Sequence, residues 1–574
     1  MKIKRVMKLL KPYRFRFFLM LFFAVISVVA TLLTPILIGE GVDQLVGPGA
    51  VKFARLRQIM IVIAVVVLIS ALAQWLMSLT INYITYNVVR NMRSQAFAHL
   101  QKLPLRYVDD HPAGDIISRL TTDIDQFSDG MLMGFTQFFT GILTIIGTIL
   151  FMLSIHPQIT LVVLVLTPLS FFVAGFIARR TYSLFKQQAE ARGEMTGMVQ
   201  EMVGNQGLVK VFNREVELEE RFGEINERLN TTSVRATFFS SLVNPSTRFI
   251  NGLVSTGVCI YGAFVCLSGG ITIGALASFM NYAYQYTKPF NEISGVITEL
   301  QNALACGGRV FDFLETEIIT EGPELKKMDA VRGAVAFKEV AFSYDKAKPF
   351  IEHMNINTKP GDRVALVGPT GCGKSTLINL LMRFYEIDSG AITVDETDIR
   401  TYTRGSLREH FGMVLQETWL KRGTVAENIA YGKPSATLAE IQEAAKSAHA
   451  HNFIMRLEKG YDTVISENGG NLSAGQKQLL CIARVFLVRP PMLILDEATS
   501  SIDTRTELMV QDALKLLMTG RSSFVVAHRL STIKEADKIL VMRDGKIIES
   551  GKHEELLAKN GFYAQLYASQ FAQS

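Results

Sequence analysis

Residues 368–376 read GPTGCGKST, between the apolar run Val364–Val367 and the run Leu377–Met382. A loop of the form G-x-x-x-x-G-K-[ST] that joins a strand to a helix binds phosphate, because its glycines let backbone N–H groups close around the anion. By average composition the pattern arises by chance in roughly 2% of chains this long. The strand-loop-helix context lowers that further. The same chain carries long apolar segments, so a nucleotide site is joined to a membrane domain.

The 574 residues are enough for several domains. Hydrophobic residues make up 49% and the mean hydropathy is +0.24, high for a purely soluble protein. The net charge of +6 comes with basic residues placed beside apolar segments, which is the bias of a cytoplasmic membrane surface and not of a nucleic-acid partner. Cys259, Cys266, Cys306, Cys372 and Cys481 show no zinc-like pairing and suggest reduced or buried thiols. The N-terminus, MKIKRVMKLLKPYRFRFF, leads into an apolar run of about twenty residues or more, long enough to cross a bilayer. It reads as a retained first helix with its basic end in the cytoplasm.

The hydropathy pattern predicts six membrane helices, at about 16–38, 59–86, 130–154, 158–180, 240–267 and 273–299. An even number puts both termini on one side, and Lys2, Lys4, Arg5, Lys8, Lys11, Arg14 and Arg16 make that side cytoplasmic. The connections 155–157 and 268–272 are tight, whereas 87–129 and 181–239 are long, polar and mostly free of helix breakers. Helices therefore continue past the membrane; one from Gln158 to Gly207 would run roughly 75 Å against a hydrocarbon core of roughly 30 Å. Segments 115–124 and Val209–Arg214, at the far tips, are candidate docking elements. The expected division is a helical polytopic membrane domain over 1–314, a linker over 315–332 and an α/β phosphate-loop ATPase domain over 333–574.

In the second domain the nucleotide-binding set is Gly368, Thr370, Gly371, Cys372, Gly373, Lys374, Ser375 and Thr376. The Lys374 ammonium suits the β- and γ-phosphates and the Ser375 hydroxyl suits Mg²⁺. Residues 492–497, MLILDE, read as a buried parallel strand ending in two carboxylates. Asp496 is placed to hold Mg²⁺ through water, and Glu497 to orient or deprotonate an attacking water. LSAGQ at 472–476 precedes a helix, so Ser473, the Gly475 backbone and the helix N-terminus form a second anion site. Two anion sites in one domain are best explained if the second faces the nucleotide of another subunit.

This set resembles the nucleotide-binding domain of ABC transporters, and nearly the whole chain resembles an ABC exporter half-transporter of the multidrug and lipid type. The resemblance implies that Tyr344 stacks on adenine, that Gln416 senses Mg²⁺ and the membrane domain, and that Glu467 meets the coupling helices. It implies that Ser473, Ala474, Gly475 and Gln476 form the signature, that Asp503 communicates across a dimer and that His528 is the switch on the γ-phosphate. ATP and Mg²⁺ are the implied cofactors, with Ser375, Gln416 and Asp496 around the metal and Glu497, His528 and Gln416 in catalysis. Three departures stand out: LSAGQ where LSGGQ is commonest, Lys421-Arg422 where apolar residues and serine are usual, and Gln478-Leu479-Leu480 where a second basic residue is usual. An altered signature beside intact Glu497 and His528 favours a heterodimer with a second half-transporter over a homodimer.

The resemblance implies ATP-driven export of amphipathic small molecules from a lipid bilayer, in a bacterial plasma membrane with the ATPase domain cytoplasmic. A lipid or peptide exporter is the nearest alternative; an ATP-binding membrane regulator is opposed by the intact Glu497 and His528. Asn244, Arg248 and Asn251, with Asn281, Tyr282, Tyr284, Gln285, Tyr286 and Lys288, are polar groups in apolar helices, and some are expected to line the translocation path.

Overall fold

The computed structural model describes the chain except for residues 1–4, 6–8, 46–50, 323, 417, 467–468, 497–501, 528–529 and 571–574. It forms two compact units, one of Met1–Gln101 with Ala113–Thr316, the other of Lys102–Pro112 with Glu317–Ser574.

Among the described residues, the regular structure of the first unit is all helical. Its long helices are Arg14–Asp43, Phe53–Leu100, Thr140–Ile155, Pro157–Gly204, Glu215–Ser241, Val243–Leu267 and Ile273–Leu314. Among the described residues, Lys11–Asp43, Phe53–Leu100, Ala113–Ile155 and Arg248–Leu267 are long and apolar enough to cross a membrane. The other two expected spans, 158–180 and 273–299, lie inside single helices of 48 and 42 residues. At 1.5 Å per residue the first of these is about 72 Å long. The tight turn at 155–157 works because Pro157 sits at the first helical position, where its missing N–H has no partner to lose. Its long polar half pairs with Glu215–Ser241, where Gln188 donates to the Ser233 hydroxyl at 2.9 Å and Arg228 meets Glu194.

Close helix contacts in this unit rest on small residues. A Cβ on Gly274 would lie 1.9 Å from the Gly39 carbonyl oxygen, so the first and last long helices touch backbone to backbone. The Gly274 N–H donates to Asp43 at 2.7 Å, and Ser278 donates to the Pro35 carbonyl at 2.7 Å. Further along, helix Thr122–Met133 is clamped to Ile273–Leu314. Arg309 donates from Nε to Asp123 at 2.8 Å and again from Nη2, and Gln126 donates to Glu299 at 2.9 Å. Asp123 is 3% exposed, so its charge is compensated by this fork and not by water.

The second unit is an α/β domain with two main sheets. The six-stranded sheet runs in the order Lys546–Gly551, Lys538–Arg543, Arg363–Val367, Ser522–Val526, Met492–Asp496, Phe411–Val414. Only its first pairing is antiparallel. Val364–Val367 and Met492–Leu495 are buried on both faces, which is why they read as unbroken apolar runs and not as alternation. The second sheet is antiparallel, in the order Ile351–Asn357, Val335–Phe342, Ser389–Val394, Thr397–Asp398.

Two findings refine the sequence reading. Residues from Glu317 onward, expected as linker to 332, are part of the second unit. The Lys326 backbone N–H donates to the Thr401 carbonyl at 2.9 Å, and the Asp395 carboxylate accepts from the N–H groups of Arg332, Gly333 and Ala334. The first docking element was expected at 115–124, but Ala113–Leu120 belongs to the helical unit. The stretch that joins the ATPase unit is 102–112, with helix Leu105–Asp109 at its centre. The sequence reading took His111-Pro112 as the break; the earlier Pro104 ends the preceding helix first, because its extended backbone (φ −63°, ψ 147°) starts a new one.

Candidate functional site: a phosphate loop, its acidic strand and a second anion-binding helix

The phosphate loop follows strand Arg363–Val367 and opens helix Lys374–Leu381. Gly371 (φ +83°) and Gly373 (φ +106°) hold the left-handed backbone that lets successive N–H groups converge. Lys374 is 9% exposed, and its ammonium donates to the carbonyls of Gly368 (2.8 Å) and Pro369 (3.0 Å). It is thereby aimed across the mouth of the loop, not into solvent. Cys372 is buried, with its sulfur 3.8 Å from that ammonium.

Register brings the acidic strand to the same edge. Val526 pairs with both Leu366 and Asp496, so Asp496 ends its strand level with the phosphate loop, one strand away. This is the carboxyl edge of a parallel sheet, where open α/β folds bind ligands. Ser375 lies in the first turn of helix Lys374–Leu381, and Gln416 is exposed just after strand Phe411–Val414. Glu497, Glu467 and His528 lie outside the described residues, although their strands or flanking segments are in place.

Tyr344 sits beside the loop. Its hydroxyl lies 3.0 Å from the Thr376 hydroxyl. The rings of Phe342 and Tyr385 meet it edge-on at 4.8 Å and 5.2 Å. It remains 41% exposed, which leaves ring area for stacking.

The signature forms a second helix start. Ser473 caps helix Ala474–Val488: its hydroxyl accepts from the Gln476 N–H at 3.3 Å, and the Gln476 side chain accepts from the Ser473 N–H at 3.0 Å. This reciprocal box means Gln476 shapes the helix end as well as any ligand site. Gly475 packs against helix Thr504–Met518, where a Cβ would lie 2.3 Å from Thr506 Cγ2. Asp503 caps that helix, accepting from the Thr506 N–H at 3.0 Å, and these hydrogen bonds hold its carboxyl below the usual range. Ala474 is exposed at the helix start, so its methyl group stands where a ligand would approach.

The sequence reading missed a cluster behind Gln416. The Arg484 guanidinium donates to the carbonyls of Asn428 (2.6 Å) and Trp419 (2.7 Å) and to Asn428 Oδ1 (2.8 Å), and lies over the Trp419 and Tyr431 rings. Burial holds its pKa below the ordinary value. It fixes the chain three residues beyond Gln416. The sequence reading also missed Tyr385; it missed Arg106 and Asp109 too, for which the PLRYVDD stretch after a helix was the available signal.

The helical unit divides the polar residues of the apolar helices. Tyr282 and Tyr286 are buried in packing, the first donating its hydroxyl to the Leu32 carbonyl. Asn281, Tyr284 and Lys288, spaced three and four apart, share an exposed face of helix Ile273–Leu314. Arg248 is also exposed; the Asn244 side chain lies outside the described residues.

Comparison with known proteins is consistent along the chain. The ABC transporter transmembrane region family matches residues 17–290, and the ABC transporter family matches residues 351–500. The chain is an ABC exporter half-transporter. It is 38% identical over 570 residues to "Uncharacterized ABC transporter ATP-binding protein YfiC" of Bacillus subtilis, covering 99% of this chain and 94% of that one. It is 41% identical over 527 residues to "Fatty acid ABC transporter ATP-binding/permease protein" of Mycobacterium bovis, covering 92% and 83%. Among solved structures, "Structure of a bacterial Atm1-family ABC exporter with ATP bound" superposes with a TM-score of 0.78 at 28% identity, over 97% of this chain and 98% of that one. As an ABC exporter, the protein couples ATP hydrolysis to transport, and half-transporters of this kind work as dimers.

Proposed function

We propose that this half-transporter exports amphipathic small molecules across a bacterial plasma membrane, with its ATPase domain in the cytoplasm. The observation that carries the reading is the shared sheet edge, at which the strand that leads into the phosphate loop and the strand that ends in Asp496 lie one strand apart. Lys374, Ser375 and the loop N–H groups would hold ATP, with Ser375, Gln416 and Asp496 around Mg²⁺, whose charge would neutralise the phosphates. Glu497 would orient or deprotonate the attacking water, and His528 would meet the γ-phosphate. Ser473, Ala474, Gly475 and Gln476, with Asp503, would face the nucleotide of the other subunit. Closure would then shift the membrane unit between two states, because ATP binds the closed state better.

The relatives support an amphipathic cargo by name: one is a fatty acid transporter and another, 36% identical, is "Putative multidrug export ATP-binding/permease protein YgaD" of Bacillus subtilis. The exposed face bearing Asn281, Tyr284 and Lys288 is the candidate lining. For the partner, the exposed Ala474 methyl group beside intact Glu497 and His528 favours a different half-transporter that supplies the standard signature.

The test is ATPase activity of this chain purified alone in lipid nanodiscs, with Glu497→Gln as the blank. An inactive chain that binds ATP is the expected result. Robust Glu497-dependent turnover would overturn the heterodimer and make LSAGQ a working signature. Turnover that survives Glu497→Gln would remove Glu497 from the base role.

A further inference from the structure

The chain inserts residues 102–112 between two helices of the membrane unit, Phe53–Leu100 and Ala113–Leu120, yet this stretch belongs to the ATPase unit. Its contacts there converge on Tyr344. Arg106 Nη2 donates to the Tyr344 carbonyl at 2.8 Å. Asp109 accepts from the Tyr385 hydroxyl, and the Tyr385 ring meets the Tyr344 ring edge-on at 5.2 Å and 82°. Leu105 packs on the domain core. Tyr344 is therefore fixed at its carbonyl, its ring edge and its hydroxyl, the last by Thr376 of the phosphate loop. The inserted helix supplies the first anchor directly and bears on the second through Asp109, while Phe342 meets the same ring from the domain core.

We propose that Arg106 and Asp109 are positioning residues for base recognition, so that affinity for the adenine of ATP depends on helix Leu105–Asp109 being seated. The inference rests on the reading of Tyr344 as the adenine platform. Its physical basis is the openness of that platform. A cleft of about 310 Å³ lined by Arg106, Tyr344, Phe384 and Tyr385 lies beside the ring, which is 41% exposed. Stacking on an open ring depends on the ring's orientation, and orientation here is set through the Tyr344 carbonyl and the Tyr385 edge. Phosphate binding depends on it less: Lys374 is held by its own loop carbonyls, and the Tyr344 hydroxyl reaches the loop only at Thr376. Linkage makes the effect reciprocal: adenine on Tyr344 tightens the seat of the inserted helix, and a tripolyphosphate chain without a base does not.

The experiment measures binding of Mg·ATP and of inorganic tripolyphosphate by calorimetry, on the full chain in nanodiscs carrying Glu497→Gln. Arg106→Ala is expected to weaken ATP three- to tenfold and leave tripolyphosphate within twofold. Arg106→Lys, which keeps a cationic donor, should recover part of the loss. Tyr385→Phe, which keeps the ring but loses the bond to Asp109, should shift ATP in the same direction by less. The proposal falls if Arg106→Ala spares ATP while Tyr344→Ala weakens it, an outcome that leaves the platform reading standing. It also falls if Arg106→Ala weakens both ligands alike, which would mark general damage. If Tyr344→Ala itself spares ATP relative to tripolyphosphate, the platform reading fails and the inference with it.

Discussion

Gly475 in the signature carries a packing demand that can be tested apart from its place in the nucleotide site. A Cβ there would lie 2.3 Å from Thr506 Cγ2 and 2.9 Å from Ile502 Cγ2, closer than packed atoms tolerate. Gly475→Ala must therefore push helix Ala474–Val488 away from Thr504–Met518 or force the Thr506 and Ile502 side chains off their rotamers. Overpacking of one methyl group in a filled interior costs about 1–3 kcal/mol. For a domain of this size each kcal/mol lowers the midpoint by roughly 2–4 °C, so a fall of about 2–12 °C is expected. The chain has two tryptophans, Trp75 in the helix Phe53–Leu100 and Trp419 in the ATPase unit. In a Trp75→Phe background, Trp419 emission reports unfolding of the ATPase unit alone. Thr506→Ser removes the methyl group that the added Cβ would strike while keeping the hydroxyl, so the double variant should regain about half of the loss; Ile502 accounts for the rest. An unchanged midpoint for Gly475→Ala, or no recovery with Thr506→Ser, would refute this packing account.

Asp503 has its folded-state pKa lowered by the hydrogen bonds it accepts at the start of helix Thr504–Met518. Its contribution to stability is present above its unfolded value, about 3.9, and is lost as pH falls through the lower folded-state value. Asp503→Asn keeps an acceptor but cannot titrate, so acid unfolding followed by Trp419 emission should become less steep at the low-pH end; an unaltered acid limb would count against the cap. Asp123→Ala strands Arg309 beside a buried site, and because the Arg309 side chain is 51% exposed the cost should be about 1–2 kcal/mol, less than for a fully buried pair. Thermal unfolding of the helical unit in detergent, compared with the parent, measures it, and a stability equal to the parent's would mean that water replaces the fork.

The ATPase domain was the most legible part of the chain because its local chemistry and its fold agree. A phosphate loop needs glycines and a lysine in one short stretch, and parallel strands buried on both faces need unbroken apolar runs; both are visible without neighbours. The helical membrane region was legible for a different reason, since crossing a bilayer demands length and apolarity in a single segment. The sequence reading placed its first candidate docking element at 115–124, whereas the stretch that groups with the ATPase unit is 102–112. His111-Pro112 and Pro104 are both helix breakers, and only contact with Tyr344 and Tyr385 distinguishes the one that starts the seated helix.

Residues adjacent in the chain specify which chemistry it carries: a phosphate loop, an acidic strand end, a capped signature helix and apolar helices of membrane length. Each can be read without knowing its neighbours in space. Which residues meet is settled by the packing of the folded chain. Strand register placed Asp496 level with the loop, side-chain packing divided Tyr282 and Tyr286 from Asn281 and Tyr284, and residue Arg106, 238 positions from Tyr344, came to hold its carbonyl. Contacts at such separation depend on how whole elements pack, and no local pattern encodes them.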